Sequence, residues 1–166
     1  MKTLIVYYSL TNNNEKLALY LKEKLNCDLF AIQTKKKWHF FDIFLSFLFK
    51  KKAHLQEYKI EWSNYERFIF IAPIWLGKIA FPLKTFLTEE KSNIKNYHFI
   101  SICVGGQKEK LTESLTNILS NEPQSVEEIS LKILDKDDKV NIHNHLSDKD
   151  FEILKPNIDK AIQNYC

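Results

Sequence analysis

A chain of 166 residues with 45% hydrophobic and 27% charged residues is most simply one domain, spanning 1–166, with a buried core. Its formal net charge of +3 argues against nucleic-acid binding, and no apolar run reaches the ~20 residues that a membrane-spanning helix needs. The three cysteines, Cys27, Cys103 and Cys166, lie far apart and form no CxxC pair. This predicts reduced thiols, no metal site and a cytoplasmic location.

The first predicted elements are a buried strand over Thr3–Tyr8, a polar turn over Ser9–Asn14 and a helix whose apolar stripe includes Leu17 and Leu21. A strand that leads into a helix through such a turn leaves backbone N–H groups at the positive end of the helix dipole. They form a site for an anion such as phosphate. The turn contains no Lys or Arg, so hydroxyl and amide groups would supply further donors. The alternative is an ordinary capped turn, which this stretch taken alone favours.

The second predicted strand, Cys27–Thr34, is followed by an unusually apolar segment, 35–58. Within it, Trp38–Phe49 lies between two lysine triplets and forms, as a helix, a broad apolar face with a narrow polar stripe. Part of this face is expected to cover the sheet as a crossover helix. The rest has three candidate uses: a wall of a ligand pocket, a homodimer contact or a peripheral membrane contact.

The third predicted strand, Phe68–Ala72, runs into a loop, Pro73–Lys78, that holds a tryptophan and a glycine. A helix over Phe81–Glu90 follows. Trp75 offers a ring for stacking and Gly77 allows close approach to the backbone, so this loop suits a flat ligand. The alternative is a surface loop with the tryptophan folded onto the core.

The fourth predicted strand, Phe99–Val104, ends at Gly105, Gly106 and Gln107, and another helix follows. The chain has only three glycines, and each comes directly after a predicted strand. We therefore expect backbone geometry to require glycine at these positions. The alternative is a tight turn without a ligand. Cys103 is expected to pack as a small core residue.

A fifth strand is predicted over Val126–Leu134, followed by a polar stretch whose two histidines, His143 and His145, are expected to be solvated. A last helix begins after Ser147. Five alternations of strand and helix predict a parallel sheet with helices on both faces. With the strand order 2-1-3-4-5, the loops after the first, third and fourth strands meet at the carboxyl edge of the sheet, where ligands bind in such folds.

Together, these three loops resemble those of the flavodoxin family. Residues 5–14 (IVYYSLTNNN) resemble its phosphate loop, residues 72–77 (APIWLG) the loop that flanks the isoalloxazine ring, and residues 104–106 (VGG) the third flavin-contacting loop. The resemblance covers essentially the whole chain. It implies a flavodoxin-like, doubly wound α/β fold with a five-stranded parallel sheet of order 2-1-3-4-5, and one non-covalently bound FMN.

The resemblance also implies which residues contact the flavin. The phosphate would be held by Ser9, Thr11, Asn12, Asn13 and Asn14. One side of the ring would be lined by Pro73, Ile74, Trp75, Leu76 and Gly77. The other side and the pyrimidine edge would be approached by Cys103, Val104, Gly105, Gly106 and Gln107. No catalytic residue is expected, because the chemistry would be that of the flavin.

Three functions are compatible with these features. The first is an electron-transfer protein whose FMN carries one or two electrons to or from a redox partner protein or a small electron acceptor. The second is an FMN-dependent NAD(P)H:quinone-type oxidoreductase, with the apolar segment lining a substrate pocket or a dimer interface. The third is a non-enzymatic interaction module that has kept the fold and lost the cofactor.

Overall fold

The computed structural model of the chain describes residues 2–36, 52–105, 107–134, 145–163 and 165. Its strands are β1 (Thr3–Tyr7), β2 (Asp28–Ala31), β3 (Arg67–Ile71), β4 (Ile74–Trp75), β5 (Lys78–Ile79), β6 (Tyr97–Cys103) and β7 (Ser125–Ser130). Its α-helices are α1 (Asn13–Leu25), α2 (Phe81–Glu90), α3 (Lys108–Leu119) and α4 (Asp148–Ala161), with 3-10 turns at Trp62–Asn64, Lys91–Asn93 and Leu131–Leu134. The predicted helix Trp38–Phe49, Gly106, His143 and Cys166 lie outside the described residues.

The main sheet has five parallel strands in the order β2-β1-β3-β6-β7 among the described residues. The short strands β4 and β5 form a separate antiparallel pair. Apart from this pair, β6 and β7 are the fourth and fifth strands of the chain, so the predicted order 2-1-3-4-5 is confirmed. The order places the carboxyl ends of β1, β3 and β6 side by side.

Two apolar layers cover opposite faces of this sheet. Leu4 and Val6 of β1 belong to the layer under α2 and α3, whereas Ile5 belongs to the layer under α1 and α4. Neighbouring residues of a strand point to opposite faces, so a strand buried on both sides becomes continuously apolar. The prediction of helices on both faces is confirmed.

Part of the face under α2 is covered by an extended segment, residues 52–65. The Trp62 ring contacts Phe86 of α2 at a centroid distance of 6.1 Å. The Tyr58 hydroxyl donates to Glu90 Oε1 at 2.8 Å, and the backbone N–H of Ala53 donates to Thr85 Oγ1 at 3.3 Å. The described end of the apolar segment 35–58 is therefore used for internal packing.

Two predicted strands are shorter than expected by several residues. The strand predicted over Val126–Leu134 ends at Ser130, and residues 131–134 form a 3-10 turn. The neighbouring strand β6 ends where Cys103 pairs with Ser130, so the chain beyond has no strand to bond to. The strand predicted over Cys27–Thr34 spans only Asp28–Ala31, because β1 ends opposite Ala31.

The opposite edge of the sheet holds a buried polar cluster around Tyr165. Arg67 Nη1 donates to the Tyr165 carbonyl oxygen. The His98 ring lies 4.2 Å from the Tyr165 ring, and its Nδ1 is 2.9 Å from Ser125 Oγ. His98 and Tyr165 are only 3% and 2% exposed. The cluster fastens the segment after α4 to the starts of β3, β6 and β7.

Among the described residues, no helix combines the length and hydropathy needed to span a bilayer.

Candidate functional site

Three turns of the chain meet at the carboxyl edge of the sheet. The backbone N–H of Tyr8 donates to the Ile71 carbonyl at 2.9 Å, and the rings of Tyr8 and Trp75 meet edge to face at 6.0 Å. The side chain of Asn14, at the start of α1, hydrogen-bonds to Ile102 near the end of β6. The turns after β1, β3 and β6 therefore lie together, as the strand order predicted.

The first turn leaves the start of α1 without a side-chain cap. Asn12 is the N-cap residue, but its backbone is left-handed (φ 60°, ψ −5°) and its side chain caps no described backbone N–H. A left-handed residue followed by helical Asn13 turns successive N–H groups toward one point, where the helix dipole is positive. The Ser9 hydroxyl oxygen is buried and has no hydrogen-bond partner among the described residues. This arrangement suits an anion.

The side chains of Asn13 and Asn14 hold this turn to the rest of the protein. Asn14 Oδ1 accepts from the Ile102 N–H at 2.9 Å, and its Nδ2 donates to the Ile102 carbonyl at 3.3 Å. Asn13 Oδ1 accepts from the Leu146 N–H at 2.8 Å. Of the five residues predicted for the phosphate, Ser9, Thr11 and Asn12 thus remain the side-chain candidates. For Asn13 and Asn14, the groups that could bind an anion are the backbone N–H groups of the first helical turn.

The different role of Asn14 could have been found in the sequence. It precedes Leu17, Ala18 and Leu21 by three, four and seven residues, which places it on the buried stripe of the helix. The structure confirms this, because Asn14 is 3% exposed and these three residues are fully buried.

We expect Asn14→Ala to lower the free energy of unfolding by about 1.5 kcal/mol, because the substitution leaves a buried N–H and a buried carbonyl of Ile102 unpaired. Urea unfolding of the apo-protein measures this. The control is Asn12→Gly, which keeps a left-handed backbone accessible at an exposed residue and should change stability by less than about 0.5 kcal/mol. Equal losses in the two variants would contradict the structural role of Asn14.

The second turn is a β-hairpin where the sequence indicated a loop. Ile74 pairs with Ile79 and Trp75 with Lys78, which leaves Leu76 and Gly77 as the two central residues. Both have positive φ, 49° and 73°, as a type I′ turn requires. The expectation that backbone geometry requires Gly77 is confirmed.

Trp75 lies half-buried at the base of this hairpin. Its ring centroid lies 6.0 Å from that of Tyr8 and 6.0 Å from that of Phe81. Leu76, at the tip, is 78% exposed. Pro73 and Ile74 are partly buried at the entrance of the turn. The hairpin thus presents a partly exposed aromatic ring and an exposed leucine beside the first turn.

The third turn follows β6. Burial, and secondarily the nearby Glu128 carboxylate, raises the pKa of the Cys103 thiol to about 12, so the thiol stays protonated at neutral pH. Val104 is half-buried, and Gln107 is exposed at the start of α3. Gly105 is exposed, its φ is not positive, and an added Cβ would meet nothing within 4 Å. The expectation that backbone geometry requires glycine is therefore wrong at Gly105.

A fourth segment, which the sequence did not indicate, also contacts the first turn. His145 was expected to be solvated; it is exposed, but its Nδ1 lies 2.7 Å from the Thr11 carbonyl oxygen. Lys16 Nζ donates to the Leu146 carbonyl at 2.8 Å and pairs with Asp148 at 2.6 Å. The segment that leads into α4 therefore packs along the start of α1. No local pattern predicts this contact, because Thr11 and His145 are far apart in the chain.

The sheet order, the two helical layers and the three converging turns define the class: the chain has a flavodoxin-like α/β fold. Solved structures with this fold include a flavoprotein from Lactobacillus acidophilus in complex with FMN, which is 19% identical over 76% of this chain and 92% of that chain, with a TM-score of 0.67. No protein-family model and no curated protein matches the sequence.

Two further solved structures, of Bacteroides proteins assigned as flavoproteins, have the same architecture. The one from Bacteroides uniformis is 16% identical over 78% of this chain and 90% of that chain, with a TM-score of 0.67. The one from Bacteroides eggerthii is 14% identical over 96% of this chain and 97% of that chain, with a TM-score of 0.66. At these identities the likeness establishes the fold.

Proposed function

We propose that this chain binds one FMN at the carboxyl edge of its sheet and serves as an electron-transfer protein. The observation that carries the proposal is the first turn: the start of α1 has no side-chain cap, Asn12 is left-handed, and the buried Ser9 hydroxyl of the same turn has no hydrogen-bond partner in the described part of the chain. A helix start without a side-chain cap lies at the positive end of the helix dipole, and it is where a flavodoxin-like fold would hold a phosphate. The FMN-bound relative from Lactobacillus acidophilus supports the same ligand.

The residues at the three turns fit the parts of this cofactor. Ser9, Thr11, Asn12 and the first-turn N–H groups of α1 would hold the phosphate. The hairpin residues Pro73 to Gly77 would line one side of the ring, where Trp75 already has neighbours that fix its orientation. Residues 103 to 107 would approach the other side, and the space around Gly105 leaves its backbone accessible. When bound, FMN supplies one- or two-electron transfer.

The protein groups at this edge favour electron transfer over acid–base catalysis. The Cys103 thiol has a pKa of about 12, and burial also raises the pKa of the Tyr8 hydroxyl to about 12. Neither group exchanges protons readily at neutral pH. Neither group adds a charge to this edge at neutral pH, and the flavin would be bound there by hydrogen bonds, the helix dipole and apolar contacts.

The test is the absorption spectrum of the purified protein, followed by titration of the apo-protein with FMN while flavin fluorescence is recorded. We expect a yellow protein, or an apo-protein that quenches one equivalent of FMN. A colourless protein that does not bind added FMN would reject the proposal and favour an interaction module. Rapid steady-state oxidation of NAD(P)H with a quinone would instead identify an oxidoreductase, because a carrier without a partner turns over slowly.

A further inference from the structure

The segment that precedes α4 fixes one particular peptide group of the first turn. His145 Nδ1 lies 2.7 Å from the carbonyl oxygen of Thr11. A carbonyl oxygen only accepts hydrogen bonds, so the His145 Nδ1 must carry the proton and donate. This bond forms with either the neutral or the protonated ring.

The orientation of the Thr11–Asn12 peptide is important because it sets the direction of the Asn12 N–H. In a planar trans peptide the carbonyl and the following N–H point in opposite directions. With the Thr11 carbonyl held toward His145, the N–H of Asn12 points away from it. Asn12 adopts the left-handed conformation, which asparagine tolerates better than most L-residues, and its side chain does not cap the helix. The contact with His145 adds a restraint from outside the turn on the orientation of this peptide.

The segment is itself anchored at two further points. The Leu146 N–H donates to Asn13 Oδ1 at 2.8 Å, and its carbonyl accepts from Lys16 Nζ at 2.8 Å. These bonds fix the chain next to His145 against α1. The backbone next to His145 is therefore fixed in place, even though the His145 side chain is exposed.

We propose that His145 is a positioning residue for the phosphate of FMN, acting through the Thr11 carbonyl. It holds the Thr11–Asn12 peptide so that the Asn12 N–H is presented to the phosphate. This inference rests on the proposed function. It assigns a determinant of phosphate affinity to the segment before α4, a region that the three predicted loops do not include.

The test compares FMN with riboflavin, which has the same ring and no phosphate, for the wild-type protein and two variants. We expect His145→Ala to weaken FMN binding about fivefold, the effect of losing one hydrogen bond, and to leave riboflavin binding unchanged. His145→Asn should restore FMN affinity to within about twofold, because the asparagine Nδ2 occupies nearly the same position as the imidazole Nδ1. Urea unfolding of each apo-protein establishes that the variants are folded.

Three results would overturn the proposal: unchanged FMN affinity in His145→Ala, equal losses for FMN and riboflavin, or no recovery in His145→Asn. A wild-type protein that binds no FMN would reject the proposed function itself, and this result is obtained before any variant is made. Failure of the inference and failure of the function are therefore distinguished.

Discussion

Gly77→Val is expected to weaken FMN binding about thirtyfold, or about 2 kcal/mol at 1.4 kcal/mol per factor of ten. Gly77 has φ 73°, and valine at positive φ is strained because its branched Cβ crowds the backbone. An added Cβ meets nothing within 4 Å, so the effect arises from backbone strain and not from a clash. The strain would open the turn that holds Trp75 and Leu76 beside the proposed ring site.

Overall stability should change less than flavin affinity in this variant. The hairpin lies outside the five-stranded sheet, and opening its tip at residues 76 and 77 leaves most of both apolar layers in place, although Ile79 of the hairpin belongs to the layer under α2 and α3. We expect the apo-protein to lose about 1 kcal/mol of unfolding free energy, less than the full strain at the turn. Fluorescence titration with FMN and urea unfolding of the apo-protein measure the two effects separately.

Gly77→Asn is the matched control, because asparagine tolerates positive φ while adding a side chain of similar size. It should keep FMN affinity within about threefold of the wild type. Similar losses in both variants would show that the side chain, and not the backbone, interferes. Wild-type affinity in Gly77→Val would remove the hairpin from the flavin site.

Acidification from pH 6.5 to pH 4 is expected to lower the free energy of unfolding by up to about 3 kcal/mol through His98 alone. Burial, with a smaller contribution from the Arg67 guanidinium, lowers the pKa of His98 from 6.5 to about 4. Above pH 6.5 the ring is neutral in both the folded and the unfolded chain. Between the two values the unfolded chain binds the proton more strongly, so stability falls as the pH falls.

The control for this prediction is His98→Phe, which keeps a ring beside Tyr165 and does not titrate. Its unfolding free energy, measured in urea at several pH values, should be nearly constant between pH 6.5 and 4.5. Hydrogen bonds from Lys2 and the Tyr65 hydroxyl lower the pKa of the Asp28 carboxyl below 3.8, so the loss of stability from protonation of Asp28 comes below this pH range. A variant with the same slope as the wild type would rule out His98 as the source.

Local sequence pattern predicted most of the architecture. The continuous apolar runs of β1, β3 and β6 indicate strands buried on both faces, since each neighbouring residue must face a different helical layer. The runs of β2 and β7 were located but predicted too long. A strand at the edge of a sheet ends where its single neighbour ends, as β7 ends at Ser130 opposite Cys103. The residues of the edge strand alone do not predict this limit.

Sequence reasoning also located the three turns of the candidate site, but treated neighbouring polar residues as equivalent. Asn12, Asn13 and Asn14 have the same side chain and different roles. Helix periodicity distinguishes the buried Asn14 from the exposed Asn12. The partner of Asn14, however, is a backbone 88 positions away, and local periodicity cannot identify a partner at that distance.

The amino-acid sequence by itself determined the alternation of strand and helix, the glycine at the left-handed turn residue 77 and the polar, uncharged turn after β1. These depend on backbone preferences and side-chain periodicity within a few residues. Only the tertiary structure decided that the three turns share one edge with His145, and that Asn14 bonds to β6. Such contacts depend on strand order and helix packing, which bring residues 88 and 134 positions apart within hydrogen-bonding distance.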